Sequence, residues 1–178
     1  MLIRSTTVLG VVKDGKAALG SDGQVTTGQT VMKSNAKKLR MLGNGTVIAG
    51  FAGSTSDALT LYDRFNKKLE EYRGNVPRAV VELGRDWRSD KYLRRLEAML
   101  AVVSRENAFL LSGTGDVIEP ENGIVAIGSG GPYALAAARA FMQSNPAMST
   151  REIVESSLKI AGEICIYSNT NLSIESLD

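Results

Sequence analysis

Residues 6–22 read TTVLGVVKDGKAALGSD. Two β-branched or apolar runs, 6–13 and 16–21, flank Asp14-Gly15, a pair that tight hairpin turns favour because both positions tolerate a positive φ. The chain therefore opens its fold with an antiparallel hairpin. Working outward, 46–52 is a further strand by its Val, Ile and Phe content. Ser54, with Asp57 three residues on, marks a helix start, and Ala58, Leu61, Phe65, Leu69 and Tyr72 keep one helical face apolar until Gly74. A second helix carries Ala79, Val80, Leu83 and Trp87 on its inner face and charge on its outer one.

Strands are predicted again at 98–104, 108–112, near Val117 and at 124–127. An alanine-rich helix follows over 132–143. Ser149 and Glu152 form a capping box for a fourth helix that buries Ile153, Val154, Leu158, Ala161 and Ile164. A last short strand is predicted at 172–177. Strands, two helices, strands, two helices: elements segregated in this way point to an α+β fold with two antiparallel sheets stacked face to face and helices outside. The expectation is a four-layer αββα sandwich.

Composition narrows the chemistry. The 178 residues suit one domain, are 43% hydrophobic and carry a formal net charge of +2. No basic stripe with interleaved aromatics suggests nucleic acid. No apolar run approaches the roughly 18 residues of a membrane span, and residues 1–5 are too short for a secretory signal. The single cysteine, Cys165, excludes an intramolecular disulfide and suits a reducing cytoplasm. There is no histidine, which removes Ser-His-Asp and Cys-His catalysis. Any general base must be a carboxylate, a lysine or an amine.

The order of motifs is informative. Thr6-Thr7-Val8 is followed by Gly23-Gln-Val-Thr, Val31-Met-Lys, Lys37-Lys38, Ala49-Gly-Phe-Ala-Gly53, Asp86-Trp-Arg, Leu93-Arg-Arg-Leu-Glu-Ala98, Gly113-Thr-Gly-Asp116 and Ala126-Ile-Gly-Ser-Gly-Gly-Pro-Tyr-Ala134. From Thr6 to Leu177 this series resembles the HslV (ClpQ) family, the peptidase halves of bacterial ATP-dependent proteases and relatives of proteasome β-subunits. The resemblance implies a threonine protease whose nucleophile is an N-terminal threonine, at the position of Thr6. Threonine's hydroxyl is a poor nucleophile near neutrality. A free α-amine on the same residue, with a pKa of roughly 7.7–8.0, takes its proton without any histidine. Successive side chains on a strand alternate, so Ser5 and Thr7 face away from a site occupied by Thr6.

By the same resemblance Lys38 is the active-site lysine, with Lys37 its solvated neighbour, and Asp22 is the carboxylate that keeps Lys38 charged and oriented. Gly50 supplies an oxyanion-binding N–H, and its missing side chain lets substrate approach. Ser129 bonds Asp22 or the Thr6 amine and relays its proton. Gly162, Cys165 and Ser168 match positions whose main-chain carbonyls bind sodium, a hard cation suited to oxygen ligands. Threonine is common in the family where Ser168 stands, a change that a main-chain ligand tolerates. The glycines at 128–131 lack a following Gly-Lys-Ser/Thr, so the chain is not expected to bind ATP.

Many family members carry the threonine directly after the initiator methionine, whereas here Met1–Ser5 precede it. An acylated Thr6 nitrogen is no base, so residues 1–5 are expected to be removed as a propeptide, leaving a peptidase domain over 6–178. The resemblance further implies a homo-oligomer of two stacked six-membered rings in the cytoplasm, fed with unfolded proteins by the AAA+ ATPase HslU (ClpY). Two other readings stay open at this point. A small-molecule amidase of the N-terminal-nucleophile type would be a monomer with an open pocket. A non-catalytic ring scaffold would retain residues 1–5.

Overall fold

The computed structural model describes residues 6–93 and 98–178. Residues 1–5 and the middle of the motif at 93–98 lie outside the described residues. The first hairpin forms as expected: β1 (Thr7–Lys13) and β2 (Lys16–Ser21) pair antiparallel, with Val8 opposite Ser21 and Lys13 opposite Lys16. Asp14 and Gly15 both take positive φ, 53° and 73°, as a type I′ turn requires. Next come β3 (Val25–Thr27), β4 (Thr30–Lys33), β5 (Leu39–Leu42) and β6 (Val47–Gly53), then α1 (Thr55–Glu71) and α2 (Val76–Ser89). The chain continues with β7 (Ala98–Val103), β8 (Ala108–Leu111), β9 (Val117–Ile118) and β10 (Ile124–Gly128). It ends with α3 (Gly131–Ser144), α4 (Thr150–Ile164) and β11 (Ser173–Leu177).

Two antiparallel sheets result, ordered β10-β1-β2-β11 and β5-β6-β7-β8-β9, with β3 and β4 paired apart from them. Side-chain alternation divides the core into three layers. Val8, Ala17, Leu19, Ile48 and Val103 meet between the sheets. Leu9, Val11 and Ala18, one residue out of phase, pack under α3 and α4 with Ala138, Ile153, Val154 and Leu158. On the opposite outer face, Val47, Ala49 and Phe51 pack against Leu61, Phe65, Leu83 and Trp87 of α1 and α2. Each large apolar side chain so enclosed contributes roughly 1.5–3 kcal/mol. This is the expected αββα sandwich.

Glycines on the two central strands make room for side chains of the facing sheet and of α4. A Cβ on Gly10 would meet Leu19 and Val103 at 2.7 Å, and one on Gly20 would meet Leu158 and Val154 at 2.6 Å. The capping box is present, with Ser149 accepting from the Glu152 N–H and Glu152 accepting from that of Ser149.

Three strands escaped the sequence reading. β4 is exposed throughout and its short partner β3 buries only Thr26, so neither carries an apolar face to betray it. β5 has only four residues. Ile164 also departs from expectation: it is 55% exposed, because α4 ends there and the chain leaves the sheet.

Candidate active site

The site forms where β1 begins and β2 ends. Thr6 and Thr7 are both buried, at 1% exposure. The β1–β10 register brings Thr7 opposite Gly128, and the Ser129 N–H donates to the Thr6 carbonyl at 2.9 Å. Gly128 has φ +86°, and a Cβ there would stand 1.9 Å from the Thr6 carbonyl oxygen. Only glycine permits that approach. Thr6 itself has φ +110°, a region that a β-branched residue occupies only under strain.

Leaving β2, the chain places Asp22 at 1% exposure. One carboxylate oxygen accepts from the Thr7 N–H at 2.8 Å and from the Lys38 ammonium at 2.9 Å. The other accepts from the N–H groups of Gln24 at 3.0 Å and Asn169 at 3.3 Å. Lys38 also donates to the Gln24 carbonyl at 2.7 Å and is 3% exposed. Lys38 and the main chain beside Thr6 thus converge on a single oxygen.

Breaking such an enclosed pair by deleting one partner is far more harmful than losing a surface pair. Burial draws the Lys38 ammonium's pKa below the ordinary lysine value, and Asp22 opposes that shift without cancelling it. The carboxylate therefore orients Lys38 as expected, while burial makes its proton easier to lose. Lys37 is exposed.

Ser129 is tied to Thr6 through its main chain. Its main-chain N–H grips Thr6, whereas the four donors to Asp22 recorded among the described residues do not include its hydroxyl. Gly50 is closely packed. A Cβ there would meet Val8 at 2.8 Å, Leu39 at 3.0 Å and Leu19 at 3.2 Å. Its missing side chain makes room for Val8 and Leu19 of the facing sheet and for Leu39 of the neighbouring strand.

Several contacts that tie the site together were not expected from sequence. The Thr7 hydroxyl hydrogen-bonds that of Ser168, and a Cβ on Gly130 would collide with the Thr7 hydroxyl. Asn169 accepts from the Gly23 N–H at 3.1 Å and donates to the Ser34 carbonyl at 2.9 Å. Gln24 donates from its side-chain amide to the Ile166 carbonyl at 3.0 Å. These contacts link segments that are far apart in sequence, so local pattern carries no signal for them.

Around the exit of α4, Cys165 is the C-cap, its carbonyl accepts from the Ser168 N–H at 3.0 Å, and Asn169 folds back against Gly162. Gly162 lies in the last turn of α4, where carbonyls lack helical partners, whereas Ser168 lies beyond the helix end. Among the described residues, no cluster of three His, Cys, Asp or Glu side chains offers a competing metal site. A surface depression of about 650 Å³, lined by Gly74, Asn75, Ser104, Arg105 and Leu177 among others, is lined by none of Thr6, Asp22 and Lys38.

The sequence profile of the proteasome subunit family matches residues 3–177. The chain belongs to that family. It is 64% identical, over 98% of its length and 95% of the relative's, to the ATP-dependent protease subunit HslV of Chlorobium luteolum. Its fold superposes on the crystal structure of HslV from Trypanosoma brucei with a TM-score of 0.91 and 44% identity, covering 97% of this chain and 99% of that one. A Thiobacillus denitrificans BPH structure, in complex with epoxomicin, shares the fold at a TM-score of 0.76 and 23% identity, covering 97% and 98% of the two chains. The chain is an enzyme, a proteasome-like threonine peptidase similar to the HslV subunits of ATP-dependent proteases.

Proposed function

We propose that Thr6, once it is the N-terminal residue, is the nucleophile of this peptidase and that its own α-amine is the general base. The observation that carries this reading is the enclosed Asp22–Lys38 pair, which shares one carboxylate oxygen with the Thr7 N–H in a chain without histidine. The Thr6 hydroxyl attacks the scissile carbonyl as the amine takes its proton. The Lys38 ammonium stabilises the developing alkoxide and lowers the amine's proton affinity. The Gly50 N–H stabilises the tetrahedral oxyanion. The Ser129 N–H supports this by fixing the Thr6 carbonyl. Its exposed hydroxyl is available to carry a proton at the amine.

Removal of residues 1–5 precedes all of this. The Thr6 hydroxyl attacks the Ser5 carbonyl, the Thr6 nitrogen leaves as an amine, and water hydrolyses the resulting ester. The products are a five-residue acid, a free amine and a free hydroxyl. The strained φ of Thr6 supports this step, because that torsion exists only while the nitrogen is acylated.

The substrates are unfolded proteins, admitted to a chamber within two stacked six-membered rings by the AAA+ ATPase HslU (ClpY). Exposed Val31, Met32 and Ile166, at 54%, 65% and 79%, support burial in such an assembly. Sodium held by the carbonyls of Gly162, Cys165 and Ser168 contributes only to structure, fixing the turn that carries Ser168 and Asn169. A cytoplasmic site of action accords with the single free cysteine. Among the described residues, no helix is long and apolar enough to cross a membrane.

The test is Thr6→Ala, assayed on a fluorogenic peptide with and without the ATPase and ATP. Loss of hydrolysis with assembly intact is expected. Hydrolysis at the parental rate would refute the assignment.

A further inference from the structure

We propose that Tyr62 is a positioning residue for this reaction, its hydroxyl fixing the main chain of Lys38 to α1 and to the strand that carries Gly50. The inference rests on the reading that Lys38 serves the nucleophile. Tyr62 sits in α1 at 5% exposure, its ring edge-on to Phe51 with centroids 5.9 Å apart. Its hydroxyl donates to the Lys38 carbonyl at 2.8 Å. That carbonyl's other recorded donor is the Phe51 N–H, at a long 3.4 Å. Phe51 follows Gly50, and Leu39, which follows Lys38, pairs with Gly50 in the β5–β6 register. The junction therefore joins Lys38, Phe51 and α1 at one oxygen, one residue from Gly50.

A lysine is a poor self-positioner, because its ammonium rides on a flexible four-carbon stem. Here both ends are held. Asp22 and the Gln24 carbonyl hold the ammonium, and Tyr62 holds the backbone from the other side. Burial raises the Tyr62 phenol far above its ordinary range, more than the opposing pull of Arg40 lowers it, so the hydroxyl remains a donor wherever the enzyme works. Phenylalanine at this position would keep the packing on Phe51 and leave the carbonyl with its long bond alone.

The experiment compares the assembled parent with Tyr62→Phe and Lys38→Ala on a fluorogenic peptide, measuring kcat and KM from about pH 6 to 10. Assembly is followed by mass photometry and stability by thermal unfolding. Tyr62→Phe is expected to lower kcat about fivefold, the scale of one buried hydrogen bond, with KM changed less than about twofold. The alkaline limb should move to higher pH, since a lysine released toward water regains its ordinary affinity for a proton. An unchanged kcat and limb, or a loss confined to KM, would overturn the proposal. So would a loss that merely tracks the unassembled fraction.

If Tyr62→Phe does not assemble, 3-fluorotyrosine at the same position keeps ring and hydroxyl. A kcat altered with the hydroxyl's donor strength supports the role, and an unaltered one removes it. Lys38→Ala separates the two levels. Parental activity in that variant defeats the role of Lys38 itself, whereas an inactive Lys38→Ala beside an unaffected Tyr62→Phe defeats only the role of Tyr62.

Discussion

The two ends of the β1–β2 hairpin are built from the same pair of strands by opposite means. At one end Asp14 and Gly15 turn in solvent, each with positive φ, in a conformation that adjacent residues suffice to specify. At the other end Thr6, Thr7 and Asp22 are buried, and their partners come from Lys38, Ser129, Ser168 and Asn169. The turn is local chemistry and tolerant. The site is a meeting of distant segments, each of which leaves a buried polar group stranded if its partner is removed. The lesson is that catalytic geometry here resides in long-range polar closure, while the hairpin only brings its first and last residues together.

Mutations at the two ends should therefore differ in size. Asp22→Ala leaves the Lys38 ammonium buried without its counter-charge, and a loss of about 3–5 kcal/mol is expected in chemical denaturation, with peptide hydrolysis abolished. Retention of parental stability would mean that the pair is open to solvent. Gly128→Ala, which forces a Cβ against the Thr6 carbonyl, should cost about 1–3 kcal/mol and displace the nucleophile, so that kcat falls more than the stability loss alone explains. At the other end Gly15→Ala meets open space and only the left-handed backbone penalty, about 1–2 kcal/mol, with kcat unchanged. An activity loss there as large as that of Gly128→Ala would erase the distinction between the ends.

The same contrast explains what could be read from the sequence. Asp14-Gly15, the stripe Ala58, Leu61, Phe65 and Leu69, and the Ser149–Glu152 box are local signals, and each became the expected element. The β3–β4 pair was missed because neither strand carries hydrophobic alternation, and Ile164 continued an apolar periodicity to the last residue of α4, where it is exposed. Thr6, Asp22 and Lys38 came from resemblance rather than from spacing; the structure pairs Asp22 with Lys38 in the interior and ties that pair to the N–H of Thr7, the residue after Thr6. Asn169 lies 147 residues from the carboxylate it supports, and Tyr62 lies 24 from the carbonyl it holds. No periodic pattern spans such distances. The role of Ser129 was read from its hydroxyl, whereas its visible contact is a main-chain N–H, which residue type does not disclose.

Thr6 is the one residue at which the local and long-range ends of this account meet, since its hydroxyl needs the distant cluster and its amine needs a cut in the adjoining peptide bond. Intact-mass analysis of the assembled protein, run in parallel with peptide hydrolysis, tests that dependence most directly. The active protein should begin at Thr6, and Thr6→Ala should retain residues 1–5 and hydrolyse nothing. A fully active protein that still carries residues 1–5 would contradict the mechanism at its root.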